Sequence, residues 1–182
     1  QEGVVFADFS EKENVIKDIK NIEIKEYYIG VDWGFEHYGT LVVIGVDFED
    51  NYYIVEVIAK QHKYFDYWKM LILQKYKEYQ VSRVFCDSAR TEYVQGLLDF
   101  GINAENAKKD VKEGIDLVGA MYKRNALKIT EKAFKGKFED EIYSYVWGKN
   151  DEPVKENDDV MDAIRYVLYS LKKDEGGIAY LY

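Results

Sequence analysis

Three runs of β-branched and aromatic residues in the first third of the chain are separated by short polar turns. The runs cover residues 27–31, 40–46 and 52–59, and the polar stretch 47–51 is typical of a hairpin loop. The pattern therefore predicts a three-stranded antiparallel meander.

Beyond residue 63 the apolar positions recur every three or four residues. Over residues 64–79 this spacing predicts an amphipathic helix. Residues 81–86 and 102–107 are typical of short buried strands, and the helix predicted at 91–100 between them ends at Gly101. A strand, a helix and a second strand in this order indicate a parallel crossover.

The last third of the chain is predicted to be mainly helical. Apolar stripes predict helices at 110–125, 131–143 and 160–171, with a short extended piece at 127–129. A meander followed by alternating helices and parallel strands predicts an α/β fold, in which a mixed sheet carries helices on its faces. The ribonuclease H-like fold has this element order.

Residues 1–26 are polar and charged apart from Val4, Val5 and Phe6, and we interpret them as a lead-in segment. Residues 27–182 are predicted to form one ribonuclease H-like domain. A length of 182 residues with 47% hydrophobic content supports the large core of one domain and leaves little room for two.

Composition excludes several kinds of site. The single cysteine, Cys86, excludes an internal disulfide framework, and the two histidines, His37 and His62, lack the spacing of a zinc site. We interpret both histidines as surface residues and Cys86 as a buried small side chain. No phosphate loop of the form GxxxxGKS or GxxxxGKT occurs, and no apolar run reaches the ~18 residues that cross a bilayer. The chain is expected to be soluble, and any metal is expected to bind oxygen ligands.

Acidic residues outnumber basic ones by 34 to 25, and the net charge of −9 argues against strong binding to nucleic acid. The charge is uneven, because residues 101–140 hold nine Lys and Arg against seven acids, whereas residues 141–162 hold two against seven. Acids beside a mildly basic segment are compatible with a metal-dependent phosphodiester enzyme. A solvated acidic surface would give the same counts.

Two aspartates end predicted strands. Asp32 follows the first strand and Asp87 follows the fourth, and each alone could be a turn former or a helix cap. These two strands are neighbours in a ribonuclease H-like sheet, so the carboxylates would face each other across roughly 5 Å. Because two anions so close repel each other, a hard divalent cation is the expected partner.

A third acidic group lies at the start of the last predicted helix. Asp158 and Asp162 fall one turn apart on the same face, and Asp159 projects about 60° away from Asp162. Capping of the helix N-terminus is the alternative explanation, and it applies best to Asp158.

Short motifs along the chain add a family resemblance to these acids. They are EGVVF (2–6), GVDWG (30–34), CDS (86–88), NAK (106–108), KEGI (112–115), EIYSYVW (141–147) and NDDVMDAIRY (157–166). In this order they resemble the C-terminal nuclease domain of the large subunit of tailed-bacteriophage terminases, the motors that package viral DNA. The resemblance covers nearly the whole chain, and its most specific piece is the final DAIRY.

The resemblance implies a metal-dependent endonuclease that cuts double-stranded viral DNA during genome packaging. It implies that Asp32, Asp87 and Asp162 are catalytic, metal-binding carboxylates and that Asp159 is an auxiliary ligand. Many members have Asp-His where this chain has Asp158 and Asp159, so the chain departs from the family pattern here. The expected cofactors are two divalent cations, Mg²⁺ or Mn²⁺, in two-metal hydrolysis.

Basic residues are expected to contact the DNA, and Lys108 would neutralise the reacting phosphate. The candidates for contacts with the DNA backbone are Lys109, Lys112, Lys123, Arg124 and Lys128. The family implies further partners, namely double-stranded DNA, the ATPase domain of the same full-length subunit, the portal and the small terminase subunit. It implies no membrane partner, and it places the protein in the host cytoplasm.

Two alternatives stay open. Another nuclease of this fold, such as a junction resolvase, would share the acids. A non-catalytic DNA-binding or docking module on the same scaffold would use the aspartates only as caps. An actin-like phosphotransferase is disfavoured, because it needs a second similar domain and the chain is too short to supply one.

Overall fold

A computed structural model describes residues 3–179 of the chain. Gln1, Glu2 and residues 180–182 lie outside the described residues. They include the first position of the EGVVF motif and the two outer ends of the predicted lead-in and domain.

Within the described residues the strands form one mixed sheet. They are β1 (Val15–Ile16), β2 (Ile24–Asp32), β3 (Gly39–Asp47), β4 (Tyr52–Lys60), β5 (Arg83–Cys86), β6 (Ala104–Asn106) and β7 (Leu127–Thr130). Their order across the sheet is β1-β7-β4-β3-β2-β5-β6. β2, β3 and β4 form the predicted antiparallel meander, and the outer strands extend it in parallel on both sides. The predicted mixed α/β arrangement is confirmed.

Apart from α1, which the sequence pattern does not predict, the described α-helices follow the predicted order. They are α1 (Glu11–Asn14), α2 (Phe65–Glu78), α3 (Thr91–Asp99), α4 (Val111–Lys123), α5 (Glu131–Phe134), α6 (Lys137–Ser144) and α7 (Asp159–Ala179). The predictions for α2, α3 and α4 are right to within two residues at each end. In residues 3–179 no helix combines the length and the hydrophobicity needed to span a membrane.

The single helix predicted at 131–143 is wrong, because the segment forms α5 and α6. Gly136 lies between them with a φ of 107°, which is open to glycine and outside the helical range. Phe134 and Phe138 on the two sides of the break pack in the same core. The apolar spacing therefore continues through a break that only the backbone shows.

Helices cover both faces of the sheet, and β3 shows the division. Leu41 and Val43 face a core shared with α2 and α3, whereas Val42 and Ile44 face a core shared with α4, α5, α6 and α7. This alternation follows from the two-residue period of a strand. All four residues are fully buried, so β3 lies at the centre of the molecule.

The described part of the predicted lead-in packs into this domain. Phe6 and Phe9 belong to the core on the α7 side, and β1 pairs in parallel with β7. A two-residue strand and two separate phenylalanines carry no periodic signal, so the sequence pattern does not show this packing.

A close contact between α7 and β2 positions the candidate site. A Cβ atom on Gly30 of β2 would lie 2.4 Å from the carbonyl oxygen of Ala163 and 2.7 Å from a methyl carbon of Val167 in α7. Only glycine permits such an approach. Asp32 lies two residues after Gly30 on the same strand face, and Asp162 immediately precedes Ala163. The contact therefore brings both carboxylates to one end of the sheet.

Candidate active site

The first two predicted carboxylates follow paired parallel strands. Val31 of β2 is in register with Cys86 of β5, and the backbone N–H of Asp87 donates to the carbonyl oxygen of Val31 at 2.9 Å. The indole N–H of Trp33 donates to the carbonyl oxygen of Asp87 at 3.0 Å. These bonds fix the two strand ends against each other, so Asp32 and Asp87 are neighbours as the sequence predicts.

The start of α7 supplies the remaining carboxylates. Asp158, Asp159 and Asp162 line the same cavity of about 1290 Å³ as Asp32 and Asp87. Five aspartates from three separate stretches of the chain therefore meet in one cleft. This is the convergence on which the predicted site depends.

Glu141 of α6 fixes the first turn of α7. Its Oε1 accepts hydrogen bonds from the backbone N–H groups of Val160 at 2.8 Å and Met161 at 3.1 Å. First-turn N–H groups have no partner within their own helix, so a carboxylate here acts as a cap. Glu141 is fully buried, and burial raises its pKa to about 7. In the sequence Glu141 stands out only as part of a motif, because a cap from another helix leaves no local pattern.

Asp32 has the most unfavourable electrostatic surroundings of the cluster. It is only 6% exposed. Burial, followed by the charges of Asp162 and Asp87, raises the pKa of Asp32 well above its usual range. Asp32 and Asp87 lie close enough to share a hydrogen bond when one is protonated. A proton or a cation is therefore needed between these carboxylates at neutral pH.

Two basic side chains hold two of the other carboxylates. Lys109 Nζ lies 2.6 Å from Asp87 Oδ1, and Arg165 Nη2 lies 3.0 Å from Asp162 Oδ1. Burial alone would raise the pKa of Asp87, but the bond from Lys109 and others hold it below its usual range. Burial raises the pKa of Asp162 to about 7 despite Arg165.

The Arg165 side chain packs against α4 at Gly114. A Cβ on Gly114 would lie 2.6 Å from Arg165 Cδ, so glycine leaves the room that the long side chain occupies. The second terminal nitrogen of the guanidinium, Nη1, donates to the carbonyl oxygen of Lys109 at 2.8 Å. Arg165 therefore connects α7 to the segment that carries Lys109.

His37 is a site residue that sequence reasoning missed. Its side chain is 65% exposed, as expected of a surface histidine, but its Nδ1 lies 3.1 Å from Asp159 Oδ1 inside the cleft. The turn between β2 and β3 brings it there from 122 positions away in sequence. No motif in the sequence signals this contact. His62, the other histidine, is 60% exposed and lies 3.6 Å from Glu36.

Among the basic residues predicted to contact DNA, Lys109 lines the cleft. Lys108, Lys112, Lys123, Arg124 and Lys128 are not among its lining residues. Lys123 and Arg124 lie at the end of α4 that leads into β7, at the opposite end of the sheet from Asp32. The cleft has other basic side chains that the sequence pattern did not single out, namely Lys63, Arg90, Lys137, Lys155 and Arg165.

The donor atoms of the cleft suit a hard cation. Carboxylate oxygens are the ligands that Mg²⁺ and Mn²⁺ prefer. In the part of the chain that the structure describes, no three His, Cys, Asp or Glu side chains already converge as ligands of one ion. Lys109 and Arg165 instead hold Asp87 and Asp162. The residues fit divalent cations if the partly exposed Lys109 side chain turns away from Asp87, while buried Arg165, bonded to Asp162 Oδ1, stays in place.

Comparison with known proteins agrees with this architecture. The profile of the family described as "Terminase RNaseH-like domain" matches residues 29–171. The curated large terminase subunit of Escherichia phage T5 is 26% identical over 190 residues, which cover 94% of this chain and 43% of that protein.

Solved structures show the same fold. The large terminase of a thermophilic bacteriophage superposes with a TM-score of 0.85 at 22% identity, over 93% of this chain and 46% of that one. The nuclease domain of the large terminase of bacteriophage SPP1, solved with bound Mn, gives a TM-score of 0.64 at 18% identity, over 89% of this chain and 97% of that one.

The chain thus spans less than half the length of the T5 protein and of the thermophilic-phage terminase that it matches. The profile match covers most of the chain, including all five aspartates. The chain belongs to the terminase RNase H-like domain family.

Proposed function

We propose that this domain is a metal-dependent endonuclease that cuts double-stranded viral DNA during genome packaging. The observation that carries the proposal is the convergence of five aspartates in one cleft, with Asp32 buried among the charges of Asp87, Asp159 and Asp162. Carboxylates packed this closely repel each other and cost stability, and the binding of cations would account for their presence here.

Asp32, Asp87 and Asp162 would hold two divalent cations, Mg²⁺ or Mn²⁺, with Asp159 as an auxiliary ligand. When bound, such cations favour deprotonation of water and stabilise the negative charge that develops on the leaving oxygen. Asp32 lies between Asp87, which follows β5, and Asp162 in the first turn of α7. It could therefore share the cations with both of these carboxylates.

The basic side chains of the cleft would act on the phosphate. Lys109 pairs with Asp87 in this structure and would be released when a cation replaces it, whereas Arg165 is buried and would stay beside Asp162. A released ammonium group can donate to a phosphate oxygen as charge develops. This gives Lys109 the role that the sequence led us to expect of Lys108.

We also propose partners outside this chain. The T5 protein and the thermophilic-phage terminase are more than twice as long as the segment that matches, and the latter has also been solved in complex with ADP. We infer that an ATPase domain, the portal and the small terminase subunit work with this nuclease in the host cytoplasm.

Cleavage of supercoiled plasmid tests the proposal. The chain should convert the plasmid to nicked and linear forms with Mn²⁺ or Mg²⁺ and should stop when a chelator is added. Asp87→Asn should lose cleavage, whereas Asp66→Asn, an exposed aspartate on α2, should retain it. If both variants cut equally well, the assignment of Asp87 is wrong. DNA that is bound but never cut with either metal would favour a non-catalytic binding module.

A further inference from the structure

Two exposed aromatic rings stand together at the edge of the aspartate cleft. Phe35 is 36% exposed and Tyr64 is 76% exposed, and both line the same cavity as Asp32. Their ring centroids lie 5.1 Å apart with an interplanar angle of 38°. We call this pair the aromatic rim. Single exposed aromatic residues are common on protein surfaces, but a pair at the entrance of a charged cleft is a candidate binding feature.

The loops that carry the aromatic rim are bonded to each other. The backbone N–H of His62 donates to the carbonyl oxygen of Phe35 at 2.9 Å, and the side-chain amide of Gln61 donates to that of Glu36 at 2.7 Å. The imidazole ring of His62 packs edge-on against Phe35, with centroids 5.5 Å apart. The rim is therefore held in place before any ligand arrives, which lowers the entropic cost of binding.

The position of the rim relates it to the proposed reaction centre. Phe35 follows Asp32 by three residues, so their Cα atoms are at most about 11 Å apart. Successive nucleotides of a DNA strand advance by about 3.4 Å, so this reach corresponds to about three nucleotides. A base close to a phosphate that meets the cations held by Asp32 would thus be near the rim.

The surroundings of the rim suit a nucleic acid strand. Lys63 and Arg90 line the same cavity, and the Arg90 guanidinium lies 4.0 Å from the centroid of the Tyr93 ring. Proteins that bind single strands combine basic side chains, which follow the backbone, with aromatic faces on which bases stack. A base inside an intact duplex has no free face to offer.

We propose that the aromatic rim stacks on bases that have left the duplex stack, within about three nucleotides of the phosphate that is cut. This inference rests on the proposed nuclease function and sharpens its substrate, because it assigns the cleft to DNA that is locally opened or frayed. Phe35 and Tyr64 are therefore substrate-contacting residues, whereas the aspartates bind cations.

Binding of fluorescent oligonucleotides in chelator at low salt tests the rim without cleavage. The substrates are a duplex with a short unpaired segment and the same duplex fully paired. Wild type should bind the opened duplex more tightly than the paired one. The double variant Phe35→Ala with Tyr64→Ala should bind the opened duplex with a Kd about tenfold higher, as expected from the loss of one stacked base. Tyr64→Phe keeps the ring and should bind as wild type does.

Phe48→Ala is the matched control, because Phe48 is 62% exposed and follows β3 at the opposite end of the sheet. If the double variant binds the opened duplex as tightly as Phe48→Ala does, the inference is overturned. Mn²⁺ binding by calorimetry should be equal in all variants, which shows that the cleft is intact. If wild type prefers the opened duplex but never cuts DNA, the nuclease proposal fails while the rim stands.

Discussion

Asp32 and Asp47 end the two central antiparallel strands at opposite ends of the sheet, in opposite electrostatic surroundings. Asp47 accepts hydrogen bonds from the backbone N–H groups of Glu49 at 2.8 Å and Asn51 at 2.9 Å, and from the Tyr53 hydroxyl at 2.9 Å. These bonds outweigh burial and lower the pKa of Asp47. Asp32 faces other carboxylates, and its pKa is raised.

The same residue type at the same kind of strand end thus serves two purposes. Asp47 is a turn former whose oxygens are satisfied by the chain that follows it. Asp32 is buried beside like charges and lacks that local set of donors. Repulsion that folding leaves unrelieved is the better marker of a functional aspartate than position at a strand end.

The largest effect should come from removing each aspartate in turn. Asp32→Ala should lower metal-dependent plasmid cleavage by at least about a hundredfold, since even residues that only support metal ligands are worth 10- to 100-fold. Asp47→Ala should cut at the wild-type rate and lose about 1–2 kcal/mol of unfolding free energy with its hydrogen bonds. Equal cleavage rates in the two variants would show that Asp32 is no more important for cleavage than Asp47.

The pH dependence of stability should sharpen the comparison. The pKa of Asp162 is raised from 3.8 to about 7, so the folded state binds more protons than the unfolded state between these values. The unfolding free energy of the metal-free domain should therefore fall as pH rises from 5 to 8, by about 2–4 kcal/mol.

Urea denaturation at several pH values in chelator measures this fall. Asp32→Asn should reduce the pH dependence, because it removes a carboxyl group whose own pKa is raised by burial and by the charges of Asp162 and Asp87, and Asp47→Asn should not. Added Mn²⁺ should restore stability most at high pH, where the carboxylates are ionised. A metal-free domain that becomes more stable from pH 5 to 8 would contradict the raised pKa values of Asp32 and Asp162.

A third test compares a helix cap beside the aspartate cleft with a helix cap away from it. Glu141 caps α7 beside the aspartate cleft, whereas Thr130 caps α5 by accepting from the backbone N–H of Ala133 at 3.3 Å. Glu141→Ala should weaken Mn²⁺ binding about tenfold, because the turn that carries Asp159 loses its support. Thr130→Ala should cost about 1 kcal/mol of stability and leave Mn²⁺ affinity unchanged.

Calorimetric titration with Mn²⁺ and thermal unfolding separate the two outcomes. Glu141→Gln keeps an acceptor oxygen for the two N–H groups and should regain most of the Mn²⁺ affinity. If Glu141→Ala and Thr130→Ala bind Mn²⁺ equally well, Glu141 supports only the fold.

The sequence was sufficient for elements with a long periodic pattern. The continuous β-branched run in β3 and the helical stripe in α2 each involve many apolar side chains, so local exceptions do not hide them. It was insufficient where one backbone torsion decides, as at Gly136, or where two residues form a strand, as in β1.

For the site, the sequence could predict the aspartates but not what surrounds them. Asp32, Asp87 and Asp162 stand in recognisable motifs at element ends. The cap that Glu141 gives to α7 is known only once α6 packs against α7, and the bond from Arg165 to the Lys109 carbonyl depends on the room that Gly114 leaves in α4.

The smallest predicted effect distinguishes two adjacent lysines. Lys109 Nζ lies 2.6 Å from Asp87 Oδ1. The side chain of Lys108 is exposed, and its backbone N–H donates to Ser170 Oγ at 2.9 Å. A cation that binds Asp87 must displace the Lys109 ammonium, and a partly exposed ion pair is worth about 0.2–1 kcal/mol. Lys109→Met should therefore tighten Mn²⁺ binding about two- to fivefold, because the competing cation is gone.

Lys108→Met removes the same charge from the neighbouring position and is the matched control for Mn²⁺ titration. It should change Mn²⁺ affinity little at physiological salt, because exposed charges are screened over about 8 Å. An equal gain in both variants would mean that general charge, and not the contact with Asp87, sets the affinity. A loss of affinity in Lys109→Met would mean that the ion pair holds Asp87 in place for the metal. Within residues 3–179 the hydrogen-bond donors to Asp47 are backbone and uncharged side-chain groups and not a competing cation, so the two ends of the sheet differ in this respect as well.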